Sequence, residues 1–180
     1  MVMTAQGFAV FPTALGHCGI AWGERGVIGV RLPDGSAALT RARLHLNFPD
    51  ATETEPPEHV RLAIGEIVAL LRGESRDLAT IELDFTGVPD FHRRVYEIAR
   101  AIPPGKTLTY GEVADRLGLP GSAQAVGRAL GRNPFPIVVP CHRVLGAKGA
   151  MVGFSAPGGV DTKRRMLVIE GARAEEPTLF

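Results

Sequence analysis

The chain has 180 residues, 45% of them apolar and 22% charged, the balance of a globular protein able to bury a core in one large domain or two small ones. Its longest uninterrupted apolar run, Ile67-Val-Ala-Leu-Leu71, falls far short of the roughly 20 residues of a membrane span, and the first residues lack the basic and apolar segments of a secretory signal. Cys18 and Cys141 are the only cysteines and form no CxxC pair, which excludes a disulfide framework and a cysteine-rich zinc site and fits a reducing cytoplasm.

The first half reads as a small α/β domain. Phe8–Phe11 and His17–Trp22 have strand character, and Gly23-Glu-Arg-Gly26 leads into Val27–Leu32 as a hairpin would. Ser36 is placed to cap a helix running to about Asn47, and Glu53-Thr-Glu-Pro-Pro-Glu58 is a polar connector. Leu62, Ile64, Ile67, Val68 and Leu71 recur at helical spacing, with Gly73 as the stop, and Ile81–Phe85 alternates like a half-buried strand.

Thr86-Gly-Val-Pro89 marks a boundary, after which the pattern turns helical. Asp90 is a candidate cap for a helix with Phe91, Val95, Ile98, Ala99 and Ile102 on one face, ended by Pro103-Pro-Gly105. A short helix over 111–117, a Gly118-Leu-Pro-Gly121 connection and a helix from Ser122 to about Arg132 resemble a helix-turn-helix. The fold class expected is therefore α+β: an N-terminal α/β supporting domain (1–87), a mostly helical C-terminal domain (88–173) with a helix-turn-helix, winged-helix-like core, and a tail (174–180).

Charge divides along the same line. Residues 1–87 hold 7 Lys+Arg against 11 Asp+Glu, whereas residues 88–173 hold 13 against 6. A basic half beside an acidic one fits a polyanion-binding surface, although scattered surface charge gives the same counts. On the second helix, Ala123, Val126, Ala129 and Leu130 face inward, and Gln124, Arg128 and Arg132 line the other side with Gly127 and Gly131 beside them. Each glycine costs about 1 kcal/mol against alanine in a helix. Close approach of a nucleic-acid backbone would account for both, and so would tight helix packing within the protein. Lys106, Arg116, Arg143 and Lys148 add to the basic character of this half.

Pro136-Ile-Val-Val-Pro-Cys-His-Arg-Val144 reads as a short strand-like run delivering Cys141, His142 and Arg143 in succession. A reactive thiol needs its thiolate, which cations and a basic partner favour. Adjacent side chains on an extended chain diverge, so pairing His142 with Cys141 needs a tight turn or a bridging water, and a carboxylate behind the imidazole. Glu170, on the amphipathic segment 162–170, is the distant candidate. A buried structural cysteine is the plainer reading, and it is the one kept for Cys18.

Pro140-Cys-His-Arg-Val144, with Ala125-Val-Gly127 and Asn133-Pro134 before it and Gly153-Phe-Ser155 and Lys163 to Glu170 after it, resembles the O6-alkylguanine-DNA alkyltransferases, the methylated-DNA–protein-cysteine S-methyltransferases. The similarity is dense from about Phe91 to Gly171. It implies a single-turnover enzyme that binds double-stranded DNA, flips the damaged guanine and moves its alkyl group irreversibly to Cys141, with no cofactor. The zinc site of some relatives is not expected, because His17, Cys18, His45 and His59 have no ligand spacing. O4-alkylthymine is a further candidate lesion. By the same resemblance His142 and Glu170 form a water-linked relay, Asn133 braces the turn, Tyr110 faces the base and neutralises the leaving guanine, and Lys163 assists. Gln124, Gly127, Arg128, Gly131 and Arg132 would meet DNA, and Val144, Phe154, Ser155 and Leu130 would line the base pocket. The protein would act in the cytoplasm as a monomer, or as monomers loading cooperatively along DNA.

Two departures stand out. Gln124 occupies the position of the family's usual arginine, and Ala156-Pro157 lengthens the loop after Phe154, where tyrosine is more usual. A non-catalytic lesion-binding protein is the alternative. A helix-turn-helix regulator using Cys141 as sensor and a cysteine hydrolase are weaker, the latter because no oxyanion-hole motif accompanies the Cys-His pair.

Overall fold

A computed structural model describes residues 5–151 and 158–173. The expected positions Phe154 and Ser155, the Ala156-Pro157 departure and the tail 174–180 lie outside these residues.

The N-terminal half is built on a four-stranded sheet. Strands β1 (Ala5–Thr13), β2 (Gly16–Gly23) and β3 (Gly26–Arg31) form an antiparallel meander, and β4 (Thr52–Glu53), at the start of the expected connector, pairs parallel with β1, giving the order β3-β2-β1-β4. Period-two alternation along β1 sends Phe8 to one face and Phe11 to the other. On the Phe8 face lies helix α1 (Ala37–Asn47), capped as expected by Ser36, whose hydroxyl accepts from the Leu39 N–H at 3.1 Å. Glycine at 19 and 29 lets α1 lie close. A Cβ at Gly19 would stand 2.5 Å from Leu44, and one at Gly29 would stand 2.6 Å from Phe48. On the other face, helix α2 (Glu58–Leu71) packs on β1 and adds Val60, Ala63, Ile67 and Leu70 to the apolar cluster that holds Phe11, Ile20 and Trp22, and ends before Gly73 at φ +98°.

The expected strand over 81–85 is not formed. Leu83 makes one isolated bridge to Val27, flanked by bonds from the Val27 N–H to the Glu82 carbonyl (2.9 Å) and from the Asp84 N–H to the Val27 carbonyl (2.8 Å). Further along β3 the Val30 N–H donates to the carbonyl of Pro134 at 2.9 Å. The open edge of β3 is thus shared between residues 82–84 and the second half, which leaves the 81–85 segment no length over which to run a ladder.

Helix α3 (Asp90–Arg100) begins one residue earlier than a capping Asp90 would require. Pro89 holds the cap position, and Asp90 sits in the first turn, where its carboxylate meets the helix dipole. Strand β5 (Leu108–Thr109) leads into α4 (Tyr110–Arg116) through a capping box between Thr109 and Glu112. Helix α5 (Ala123–Gly131) packs against α4 and α3, and Ser122 precedes it without the expected side-chain cap bond. Strand β6 (Val144–Leu145) pairs parallel with β5, and α6 (Gly159–Ile169) closes the half. The two halves share one apolar cluster that runs from Phe11 and Ile20 through Ile67 to Tyr96, Val126, Phe135 and Met166. Among the described residues the architecture is α+β, with six α-helices and a four-stranded sheet. None of these helices is long and apolar enough to cross a membrane.

Candidate active site

The segment before Cys141 is a coiled loop rather than the strand-like run its apolar residues predict. Asn133 is the reason. Its side-chain carbonyl accepts from the Phe135 N–H at 2.8 Å, and its amide donates to the Val139 carbonyl at 2.9 Å, tying both ends of the loop to one side chain. The Val139 N–H closes back on the Phe135 carbonyl, and Ile137 is left at φ +77°, a conformation that a β-branched residue rarely adopts. Burial of Phe135, Ile137, Val138 and Val139 in the shared core holds the loop in this form.

From Pro140 the chain enters a single 3-10 turn, Cys141–Arg143, so successive side chains no longer point in opposite directions. Strand β6 follows at once. Its register, Leu108 opposite Val144 and Thr109 opposite Leu145, brings the start of α4, and so Tyr110, beside the cysteine turn. Helix α6 supplies two side chains seven residues apart on one face, about 10 Å along its axis. Lys163 donates to the Val144 carbonyl at 2.8 Å, with its ammonium 5.8 Å from the Tyr110 ring centre. Glu170, at the C-terminal end, reaches His142 and Arg143.

That second contact is a buried ion cluster. Glu170 Oε2 lies 2.9 Å from His142 Nε2 and 2.7 Å from Arg143 Nη2, and its Oε1 accepts from Arg143 Nε at 2.9 Å. Arg143 Nη1 donates to the Ile102 carbonyl at 2.6 Å. Burial works to raise the Glu170 pKa, but the guanidinium and the imidazole outweigh it and hold the carboxyl at about 2. Burial pushes the His142 pKa down, against the pull of Glu170, so the ring is neutral near pH 7. An ionised carboxylate only accepts, so Nε2 carries the proton and Nδ1 keeps its lone pair. Nδ1 is buried and has no hydrogen-bond partner among the described residues.

Burial raises the pKa of the Cys141 thiol. Opposing it are a hydrogen bond from the Asn133 side chain, the Lys163 ammonium and the backbone N–H groups of Cys141 and His142. Lys163 is itself depressed by burial, in part restored by Cys141, and Tyr110 is raised by burial and by Cys141. Cys141, His142, Glu170, Asn133, Lys163 and Tyr110 are thus brought together from four separate stretches of sequence. Cys18, far from this cluster in the sheet, is buried against Thr13, with its thiol pushed up to about 11.

Gln124, Arg128 and Arg132 lie exposed on the outer face of α5, away from its buried Val126, Ala129 and Leu130. A Cβ at Gly131 would meet nothing within 4 Å, and one at Gly127 only the edge of Tyr110 at 4.0 Å, so no internal packing requires glycine at either place. Val144 is fully buried, and Leu130 lines a cavity of about 700 Å³ that also reaches Cys141.

Arg143, one of the residues that give this half its basic character, is 4% exposed and bound to Glu170, so its charge is not offered to a polyanion. An arginine inside the apolar run Val138 to Leu145 was the available signal, since a buried guanidinium demands a carboxylate. Tyr96 was also missed. Its hydroxyl donates to the Ala129 carbonyl at 2.7 Å, fastening α5 to α3, and its position one residue after the periodic Val95 concealed it.

The family model described as 6-O-methylguanine DNA methyltransferase, DNA binding domain, matches residues 90–172. A methylated-DNA–protein-cysteine methyltransferase of Mycobacterium tuberculosis (strain H37Rv) is 45% identical over 119 residues, 66% of this chain and 70% of that protein. One of Methanosarcina acetivorans is 34% identical over 165 residues, 92% of this chain and 98% of its own length. Among solved structures, Mycobacterium tuberculosis OGT in complex with DNA superposes with a TM-score of 0.71 at 34% identity, covering 93% of this chain and 94% of that one. The O6-methylguanine-DNA methyltransferase of Pyrococcus kodakaraensis gives a TM-score of 0.65 at 30% identity, covering 91% and 99%.

Proposed function

This chain belongs to the methylated-DNA–protein-cysteine methyltransferase family, and on that premise we propose that it repairs O6-alkylguanine in duplex DNA by moving the alkyl group irreversibly onto its own Cys141. The observation that carries the reading is the buried Glu170–His142 pair behind the Cys141 turn. It leaves an imidazole with a fixed tautomer and a free Nδ1 lone pair. A water linking Nδ1 to the thiol lets His142 take the proton, and Asn133, Lys163 and the turn's N–H groups hold the thiolate.

The thiolate attacks the alkyl carbon in line with the C–O6 bond. A C–S bond forms, the C–O6 bond breaks, and its electron pair stays with the guanine, which takes up one proton. Tyr110, whose raised pKa keeps its hydroxyl protonated, is the donor on the base side. His142 returns its proton to solvent, so the thiol proton balances the one that the base gains through Tyr110. In-line attack is impossible while the base is stacked, so the lesion must be flipped out. The exposed face of α5, with Gln124, Arg128 and Arg132 beside two glycines, is the surface we assign to DNA. We take 88–173 as the DNA-binding and acceptor unit, 1–87 as its support, and the cytoplasm as its place of action.

Titrating a duplex carrying one O6-methylguanine with the protein tests the single-turnover reading. Lesion loss should plateau at one per protein molecule however long the incubation. Repeated turnover would overturn it. Stable binding without lesion loss would favour the non-catalytic alternative, with Gln124 as the first residue to examine. O4-alkylthymine, assayed alongside, defines the lesion range.

A further inference from the structure

Tyr96 is 1% exposed, and its hydroxyl bond of 2.7 Å falls on the Ala129 carbonyl, in the last turn of α5. Val95 and Ala99 of α3 and Val126 of α5 are already fully buried in the shared cluster, where a phenylalanine would pack as well as a tyrosine. Packing alone therefore does not call for the hydroxyl. In a regular α-helix the Ala129 carbonyl would accept the N–H four residues on, which belongs to Asn133. Here the turn is tighter. The Arg132 N–H donates to Ala129 and the Asn133 N–H to Leu130, each three residues back and at 3.2 Å. The tyrosine occupies the Ala129 carbonyl from a separate helix, so the point where α5 gives way to the loop is set by α3.

Asn133 stands at that point, and its side chain has no slack. Its oxygen accepts from the Phe135 N–H at 2.8 Å, and its amide donates to the Val139 carbonyl at 2.9 Å. With one amide hydrogen spent there, the other is the one available to the Cys141 sulfur, which Asn133 also bonds. A planar amide meets three partners in only one orientation, so a rotation of the helix end would move it off the sulfur. Burial and then Cys141 push the Tyr96 hydroxyl up to about 12, with Arg132 opposing, so near neutral pH it stays protonated and keeps donating.

Resting on the alkyl-transfer reading above, we propose that Tyr96 is a positioning residue for the acceptor: by holding the last turn of α5, its hydroxyl aims the Asn133 amide at Cys141 and keeps the thiolate available to the lesion. It touches neither the base nor the alkyl group and acts through Asn133. The same bond ties the nucleophile to the helix whose outer face carries Gln124, Arg128 and Arg132.

The test uses Tyr96→Phe, which removes the hydroxyl and keeps the ring, beside Val95→Ala, which removes buried bulk from the same helix and breaks no hydrogen bond. Cys141 ionisation is read without DNA, as the rate of its alkylation by iodoacetamide against pH, located by peptide mass; the thiol is reached through the cavity it lines. Tyr96→Phe should raise the midpoint of that profile by about one unit, roughly a tenfold loss of thiolate below it. Val95→Ala should keep the midpoint of the unaltered protein, whatever it costs in stability. Methyl transfer from a saturating O6-methylguanine duplex should slow about tenfold near pH 7 in Tyr96→Phe and recover as pH rises, with duplex affinity unchanged. An unchanged iodoacetamide midpoint in Tyr96→Phe would overturn the proposal. An equal rise in Val95→Ala would overturn it too, by making packing rather than the hydroxyl responsible. Failure of methyl transfer by the unaltered protein would instead remove the alkyl-transfer reading, and the iodoacetamide midpoints would still decide whether Tyr96 governs the thiol.

Discussion

Glu170 and Arg143 meet through two parallel hydrogen bonds of 2.7 and 2.9 Å at a point where both side chains are almost wholly buried. The carboxylate sits at the C-terminal end of α6, the end of a helix that disfavours negative charge. Arg143 offsets that penalty from a turn immediately after Cys141, so the charge that orients His142 is stabilised by a neighbour in sequence of the nucleophile.

Removing one member of such a pair strands the other. Arg143→Ala is expected to cost about 3–5 kcal/mol of folding stability. Arg93→Ala, which breaks an exposed pair with Glu97, should cost under about 1 kcal/mol. Urea unfolding of the two variants checks the contrast. Equal, small losses would show that the buried pair contributes little.

The same cluster sets an acid limit on stability. Glu170 is held at about 2 against an ordinary 4.5, so its contribution, of order 3 kcal/mol, is present above pH 4.5 and lost as pH falls toward 2. The His142 pKa is lowered from 6.5, so its contribution is present above pH 6.5 and erodes as pH falls through its folded value. Stability measured against pH should therefore decline below about 6.5 and more steeply below 4.5. Glu170→Gln should flatten the lower limb. An unchanged lower limb in that variant would assign the acid transition to other carboxylates.

Tyr110→Phe separates proton donation from binding. Single-turnover transfer is expected to slow by about 10²–10⁴, the usual range for loss of a general acid, while duplex affinity stays within about twofold. A parallel loss of affinity would make Tyr110 a packing residue for α4 instead.

Gly127 gives a case in which stability and function should diverge. Its Cβ position is free apart from the Tyr110 edge at 4.0 Å, so Gly127→Ala should stabilise α5 by about 1 kcal/mol. The added methyl lies beside the arginine-bearing face, and duplex affinity should fall. Stabilisation without loss of affinity would mean that DNA does not approach the helix there.

Gln124→Arg examines the departure at the head of the same helix. If the new side chain meets a phosphate, affinity rises and the slope of log K against log salt steepens by about 0.9. Arg128→Ala should lower affinity and flatten the slope by a similar amount. Identical slopes in all three proteins would take the phosphate contacts off this face.

Much of this was legible in the sequence because its signals were local. Ser36 capping α1, the strand character of β1 and the outward set Gln124, Arg128 and Arg132 follow from neighbours within a few residues. Glu170 was a distant candidate for the carboxylate behind His142, and the resemblance singled it out, since nothing local joins residues 28 positions apart. What went unread depends on tertiary partners. The Ile81–Phe85 strand failed because the edge of β3 is shared with Pro134, and the Pro136–Val139 run coils because Asn133 pins both its ends. Arg43 and Asn47 came to line the Cys141 cavity only through the docking of the two halves, which no spacing in either half records.

The most direct measurement is the intact mass of the protein after mixing with a duplex carrying one O6-methylguanine. The account predicts a gain of one methyl group (about 14 Da) per molecule, mapped to Cys141 by peptide analysis and absent in Cys141→Ala, whose only loss is the thiol that acts as acceptor. An unchanged mass, with the lesion still present in a stable complex, would contradict it.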